Sequence, residues 1–309
     1  MENPVKDMRI ESGCGVSGVI HQMRESGGFE AINMSTGLDI LDAMLDDDQC
    51  LRFASFVGAT ISTGLRGIIR DMVQRGWFDA ITTTCGALDH DIARHFASYN
   101  RGSFTMNDEE LLERNIHRLG SVLVPLENYG PLIEQKMTQF LEKEYQNGTR
   151  RMTTADICNM IGRNLGESSF LYWAQKNGVR VVVPGIMDGS VGSQTWMFTQ
   201  RHPDFILDVA GDGNILSSMV FGAKRSGALM IGGGISKHHT LWWNQYRGGL
   251  DYALYITTAT EFDGSLSGAP VREAISWGKV TTGARHATLH GEATTLLPFL
   301  YAALLEKHP

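Results

Sequence analysis

Short apolar runs recur along the chain, separated by stretches whose apolar residues return every three or four positions. The runs are DAITTT at 79–84, SVLVP at 121–125, VRVVVPG at 179–185, FILDVA at 205–210, GALMIGG at 227–233 and YALYITT at 252–258. Several are apolar throughout instead of alternating, which is the pattern of strands covered on both faces. Between them, TGLRGIIRDMVQRGW (63–77), YGPLIEQKMTQFLEKEY (129–145) and GNILSSMVFGAKR (213–225) carry helical spacing. Strand and helix in alternation predict an α/β fold: a Rossmann-like, doubly wound, mostly parallel six-stranded sheet with helices on both faces. No low-complexity linker divides the chain. The most loop-like stretch, YQNGTRRMTT at 145–154, joins two halves of one sheet as easily as two domains, so residues 1–309 are expected to form a single domain. The helical pattern CGVSGVIHQMRESGGF is expected on the outside of the sheet or against a neighbouring subunit. LLPFLYAALL at 296–305 is too short for a bilayer and reads as a buried helix.

Composition narrows the function classes. The 309 residues suffice for a sizeable core, and 42% hydrophobic with 20% charged residues describe an ordinary globule. With 27 basic and 34 acidic side chains the formal charge is −7, the wrong sign for a nucleic-acid backbone binder and suited to a cationic ligand or a basic partner. Cys14, Cys50, Cys85 and Cys158 form no C-x-x-C pair, so neither a disulfide framework nor a zinc site is expected. The start MENPVKDMRI lacks an apolar signal core. A cytoplasmic protein without nucleic-acid or membrane partners is the expectation.

In a doubly wound sheet, ligands lie beyond the carboxyl ends of the strands. The turns there are TTTCGALDHD (82–91), PGIMDGSVGS (184–193), IGGGISKHH (231–239) and TTATEFDGSLSG (257–268), all rich in Gly, Ser, Thr or Asp. IGGGISKHH suits a phosphate loop, since glycine lets backbone approach an anion at a helix N-terminus. It lacks the G-x-G-x-x-G spacing, and a plain tight turn is the other reading. Of His238 and His239, one suits a general base, and at least one is expected to cap or pack. No Cys or carboxylate stands at metal-ligand spacing beside them, so no metal is expected.

The stretch EFDGSLSGAPVREAISWGK at 261–279 is denser in chemistry. Glu273 and Trp277 lie four apart, on one face of a helix, with Lys279 just beyond. A carboxylate beside an aromatic plane receives an alkylammonium group. A lysine in such a pocket can act as an imine-forming nucleophile. The competing reading is an amphipathic helix with Trp277 in the core and Lys279 as a C-terminal cap.

SWGK together with GGGISKHH, and the runs RNIHRLGSVLVPLENY, SSFLYWAQKNGVRVVVPGIMDGSVG and TGLRGIIRDMVQRGWFDAITTTCG, closely resemble deoxyhypusine synthase of the archaeal type over nearly the whole chain. The resemblance implies a Rossmann-like homotetramer that uses NAD without consuming it. It implies transfer of the aminobutyl group of spermidine, through an imine on an enzyme lysine, to a lysine of the translation initiation factor 5A precursor. By the same resemblance Lys279 matches the nucleophile and His238 the base. Glu273 and Trp277 match polyamine-binding positions. Thr84, Asp188, Gly232, Gly233, Thr258, Asp263 and Ser267 match the NAD site, and Glu292 stands where an aspartate usually holds a ribose.

Leu266 and Ser193 occupy positions where eukaryotic members carry acids for spermidine, and His90 replaces a glutamate, flanked by Asp89 and Asp91. These departures keep a homospermidine synthase, with putrescine as acceptor, as the alternative. An NAD-dependent deacylase of the sirtuin kind lacks its paired C-x-x-C zinc site here. A non-enzymatic NAD-binding module would need Lys279 exposed or blocked.

Overall fold

The computed structural model describes residues 3–309. Its main sheet has six strands, numbered here β1 (Cys50–Phe56), β2 (Ala80–Thr83), β3 (Arg180–Val182), β4 (Arg225–Ile231), β5 (Leu250–Thr257) and β6 (Val280–His290). All are parallel, in the order β3-β2-β1-β4-β5-β6. That is the strand order of the dinucleotide-binding fold, with its reversal between β1 and β4.

The sequence patterns locate four of these strands. SVLVP instead pairs antiparallel, as Val122–Pro125, with Ile116–Leu119 and Asn100–Arg101 in a small separate sheet. FILDVA contributes only Ile206–Leu207, paired with Arg151–Met152. Their places are taken by β1 and β6, whose sequences hide them for different reasons. In β1 the apolar run is broken by Arg52. In β6, an edge strand, VTTGARHATLH is polar because only one side needs a partner, and exposed positions intersperse its buried ones.

Backbone packing divides the described residues into two compact units. One runs to Phe56 and resumes with Ser217–Pro309, and the other is Val57–Leu216. In the first unit, β4 is buried from Ser226 to Ile231. The helix Phe29–Asp46 packs on β5 and β6, and the helix Ile235–Asn244 packs on β1 and β4. A Cβ on Gly37 would stand 3.0 Å from Leu254 Cδ1, whereas the neighbouring Tyr255 ring lies 3.8 Å beneath Lys237 Nζ. Adjacent strand residues point to opposite faces, so these two helices cover opposite sides of β5. The pattern at 14–29 folds as Val16–Glu25, which packs on Phe29–Asp46 and on Ala293–Leu305. Leu297, Leu300 and Leu304 make the latter a buried helix, as its apolar run predicts. Among the described residues no helix is long and apolar enough to cross a membrane.

In the second unit a buried ion pair holds the helices. Arg66 Nε donates to Asp91 Oδ1 at 2.7 Å, and Ser169 Oγ donates to Asp91 Oδ2 at 2.6 Å.

Candidate active site

The site is built outward from the carboxyl end of β4. Gly232 and Gly234 take φ of +74° and +75°, a region glycine enters without strain, and they turn the chain into the Ile235–Asn244 helix. Between them, a Cβ on Gly233 would collide with Ser267 Cα, so the glycine turn and the loop after β5 touch backbone to backbone. That loop is pinned from below. Tyr255 Oη donates to Ser267 O at 2.7 Å and Thr257 Oγ1 to the same oxygen at 3.1 Å. Asp263 Oδ1 accepts from Ser265 N and Ser265 Oγ, each at 2.8 Å, and these bonds hold its carboxyl below the usual range.

Lys237, absent from the expected site residues, ties the same loop down. It is 2% exposed, and its Nζ donates to Leu266 O at 2.8 Å and Ala269 O at 2.6 Å. Burial pushes its amine down to about 8, with Glu273 acting in the opposite sense.

A cavity of about 310 Å³ opens beside this loop, lined among others by Lys237, His238, Trp242, Leu266, Glu273, Trp277 and Lys279. Lys279 is 9% exposed. Its backbone N donates to Ala274 O and its carbonyl accepts from Leu250 N, both at 3.0 Å, which fixes it just before β6 begins. The lysine therefore stands at the amino end of its strand, not at the carboxyl end where the loops lie. The Ile235–Asn244 helix covers the difference by running back from the glycine turn with His238 and Trp242. Lys279 Nζ lies 5.2 Å from the Trp277 ring centroid and 5.4 Å from that of Trp242.

The helix expected to present Glu273 and Trp277 is only the single turn Glu273–Ser276. Trp277 follows it and Gly278, at φ +66°, reverses the chain into Lys279. Trp277 is 67% exposed, so it is not the core residue of the competing reading. The His238 pKa is lowered by burial and then by the charge of Lys279. His239 is the packing histidine. Its Nε2 accepts from Trp243 Nε1 at 3.0 Å and burial pushes its pKa down to about 4.

The other expected residues are distributed unequally. Gly232, Gly233, Asp263 and Ser267 form the paired loops next to the cavity, and Thr258 is exposed at the end of β5. Glu292 is the N-cap of the Ala293–Leu305 helix, and its Oε2 accepts from Thr295 N at 3.1 Å and from the Thr294 hydroxyl. Thr84 and Asp188 belong to the second unit. Thr84 Oγ1 there accepts from Gly58 N at 3.0 Å, and Asp188 is exposed in the turn after β3.

The acids flanking His90 are engaged within the second unit. Asp89 accepts from Ser190 N at 2.9 Å, Val191 N at 2.8 Å and Tyr129 Oη at 2.8 Å, and so caps the Ser190–Arg201 helix. Asp91 pairs with Arg66. His90 Nδ1 lies 2.9 Å from Tyr99 Oη, and burial together with the Arg94 charge pushes its pKa down to about 4. Ser193 is exposed on the capped helix.

Trp242 carries a partial sequence signal, whereas Lys237 carries none. In KHHTLWW each histidine stands four residues before a tryptophan, and in a helix that spacing places each pair on one face.

Fold and cavity together define a dinucleotide-binding-type α/β protein whose site presents a lysine amine to aromatic faces. The sequence profile of the deoxyhypusine synthase family matches residues 18–304, and the chain belongs to that family. It is 50% identical over 306 residues to a relative from Thermoplasma volcanium named "Probable deoxyhypusine synthase", covering 99% of this chain and 98% of the relative. A relative of the same name from Ignicoccus hospitalis is 44% identical over 313 residues, covering 99% and 97%. Among solved structures, a protein assigned as a deoxyhypusine synthase from Entamoeba histolytica superposes with a TM-score of 0.66 at 19% identity, covering 98% of both chains. The protein is thus an enzyme of the archaeal deoxyhypusine synthase type, a family of aminobutyl transferases.

Proposed function

We propose that the enzyme uses NAD to move the aminobutyl group of spermidine onto Lys279 and from there to a lysine of the translation initiation factor 5A precursor. We read it as a cytoplasmic homotetramer in which residues 1–309 act as one NAD-binding domain. The observation that carries the reading is a buried lysine whose amine lies within 5.4 Å of two indole ring centroids, with a histidine of lowered pKa lining the same cavity.

The residues fit NAD. A Cβ on Gly234 would meet nothing within 4 Å, so backbone is open to a ligand at the N-terminus of a ten-residue helix. Gly232, Gly233, Thr258, Asp263, Ser267 and Glu292 are the residues of the first unit that would hold the dinucleotide. When bound, NAD supplies the acceptor, and later the donor, of one hydride.

The remaining chemistry falls to the chain. Glu273 pairs with an ammonium group of spermidine and the Trp277 face takes its cationic body. His238 accepts the proton released as the secondary amine is oxidised. Lys279 Nζ attacks the carbon of the resulting C=N bond. The bond from that carbon to the propyl-side nitrogen breaks, 1,3-diaminopropane leaves after taking up a proton, and an aminobutyl imine remains on Lys279. The acceptor lysine attacks the same carbon and displaces Lys279, which leaves the C=N bond on the acceptor; its reduction to deoxyhypusine would draw on the hydride that the bound cofactor supplies.

The test is competition between purified factor 5A precursor and putrescine for label from radiolabelled spermidine in the presence of NAD. Label on the precursor is expected. Dominant transfer to putrescine would reject this acceptor and favour a homospermidine synthase, a reading supported by Leu266 in the pocket wall.

A further inference from the structure

We propose that Trp242 is a specificity-determining residue: with Trp277 it forms an aromatic clamp around the Lys279 amine that selects the amine substrate. The inference rests on Lys279 being the nucleophile.

Two aromatic rings stand within reach of one amine. The Nζ-to-centroid distances of 5.4 Å to Trp242 and 5.2 Å to Trp277 both fall within the range over which an aromatic face attracts a cation. Trp242 is 41% exposed, so one part of the indole faces solvent while the rest lines the cavity. It is not a loose surface side chain. One helical turn earlier, the His238 ring lies 5.8 Å away at an interplanar angle of 31°. One turn later, Tyr246 packs edge-on against it at 6.3 Å and 89°.

The cavity supplies a reason for a second indole. Glu273 is the one carboxylate among its described lining residues, and Leu266 presents an apolar wall. A polyamine brings more than one positive charge, and a single carboxylate neutralises only one. Aromatic faces attract cations without demanding the hydrogen-bond geometry of a carboxylate, and they favour diffuse, weakly hydrated charge. Secondary ammonium and iminium groups meet that description better than a primary ammonium does. When the Lys279 nitrogen becomes part of an iminium, its positive charge stays within reach of the same two rings. The clamp therefore acts on substrate binding and on the covalent state together, and it stands in for carboxylates that the pocket lacks.

The test compares wild type, Trp242→Ala and Trp242→Phe with NAD and radiolabelled spermidine, reading KM, kcat and the label trapped on the enzyme by borohydride. Trp242→Ala should raise KM for spermidine about tenfold, in keeping with the loss of one partly desolvated cation-π contact, and should trap less label. Trp242→Phe, which keeps a ring, should recover most of both. A merely structural tryptophan would instead lower the thermal midpoint and kcat without this KM effect or its rescue by Phe, and that result overturns the proposal. Wild type that traps label while Trp242→Ala keeps the wild-type KM and capture overturns the clamp alone. Wild type that traps no label overturns the nucleophile assignment and the clamp with it.

Discussion

Lys279 and Lys237 are two buried lysines of one cavity, held in opposite ways. The Lys279 amine faces indoles, whereas the Lys237 amine is spent on the carbonyls of Leu266 and Ala269. Replacing Lys237 by Met removes both donors and leaves two carbonyls to find other partners. An unsatisfied buried polar group costs about 1–3 kcal/mol, so Lys237→Met should lower stability on that scale in denaturant unfolding and raise KM for spermidine. Unchanged unfolding would mean that the loop is held elsewhere. As the proposed base, His238 should set a pH limit. Its pKa is lowered from the ordinary value near 6.5, so the acid limb of label capture should lie below that pH, and a limb at or above it would remove His238 as the base. His239 affects stability instead. Its folded pKa of about 4 is below the unfolded value, so the unfolded chain binds more protons between about 6.5 and 4, and stability falls as pH is lowered through that window. His239→Gln keeps an acceptor for Trp243 without titrating. Its stability relative to wild type should therefore improve from pH 7 to pH 5 in denaturant midpoints, and a constant difference would contradict the assignment.

At the scale of elements, the site depends on the glycine turn after β4 meeting the loop after β5. Gly233→Ala would force its new Cβ against Ser267 Cα, and overpacking of this kind costs about 1–3 kcal/mol. The expected result is weaker NAD binding by calorimetry with the six-stranded sheet intact by circular dichroism; wild-type affinity would show that the two loops do not shape the nucleotide site. Much of this was legible in the sequence, because GALMIGG and YALYITT are continuous apolar runs ending in small polar residues, the mark of central parallel strands. Edge strand β6 was not, since VTTGARHATLH carries no apolar run to reveal it. SVLVP misled for the converse reason: an apolar run of four fits a small antiparallel sheet as well as a core strand. Glu273 and Trp277 line one cavity, yet not as two positions on one helix face: the helix is one turn long and Trp277 lies beyond its end. Lys237 was hidden, and the spacing of Trp242 pointed only to His238, because their roles are set by which loop and which lysine the fold brings opposite them.

For the molecule as a whole, the strand order of the dinucleotide-binding fold explains why chemistry is spread along one helix. Ligand loops sit at the carboxyl ends of the strands, Lys279 sits at the amino end of β6, and the Ile235–Asn244 helix links them within one compact unit. The central claim is that Lys279 carries the aminobutyl group. It is tested most directly by incubating the enzyme with NAD and spermidine, reducing with borohydride, digesting, and locating the added mass by peptide mass spectrometry. An aminobutyl adduct on Lys279, absent in Lys279→Ala, is the predicted result. An adduct on Lys237, or equal trapping in Lys279→Ala, would contradict the account.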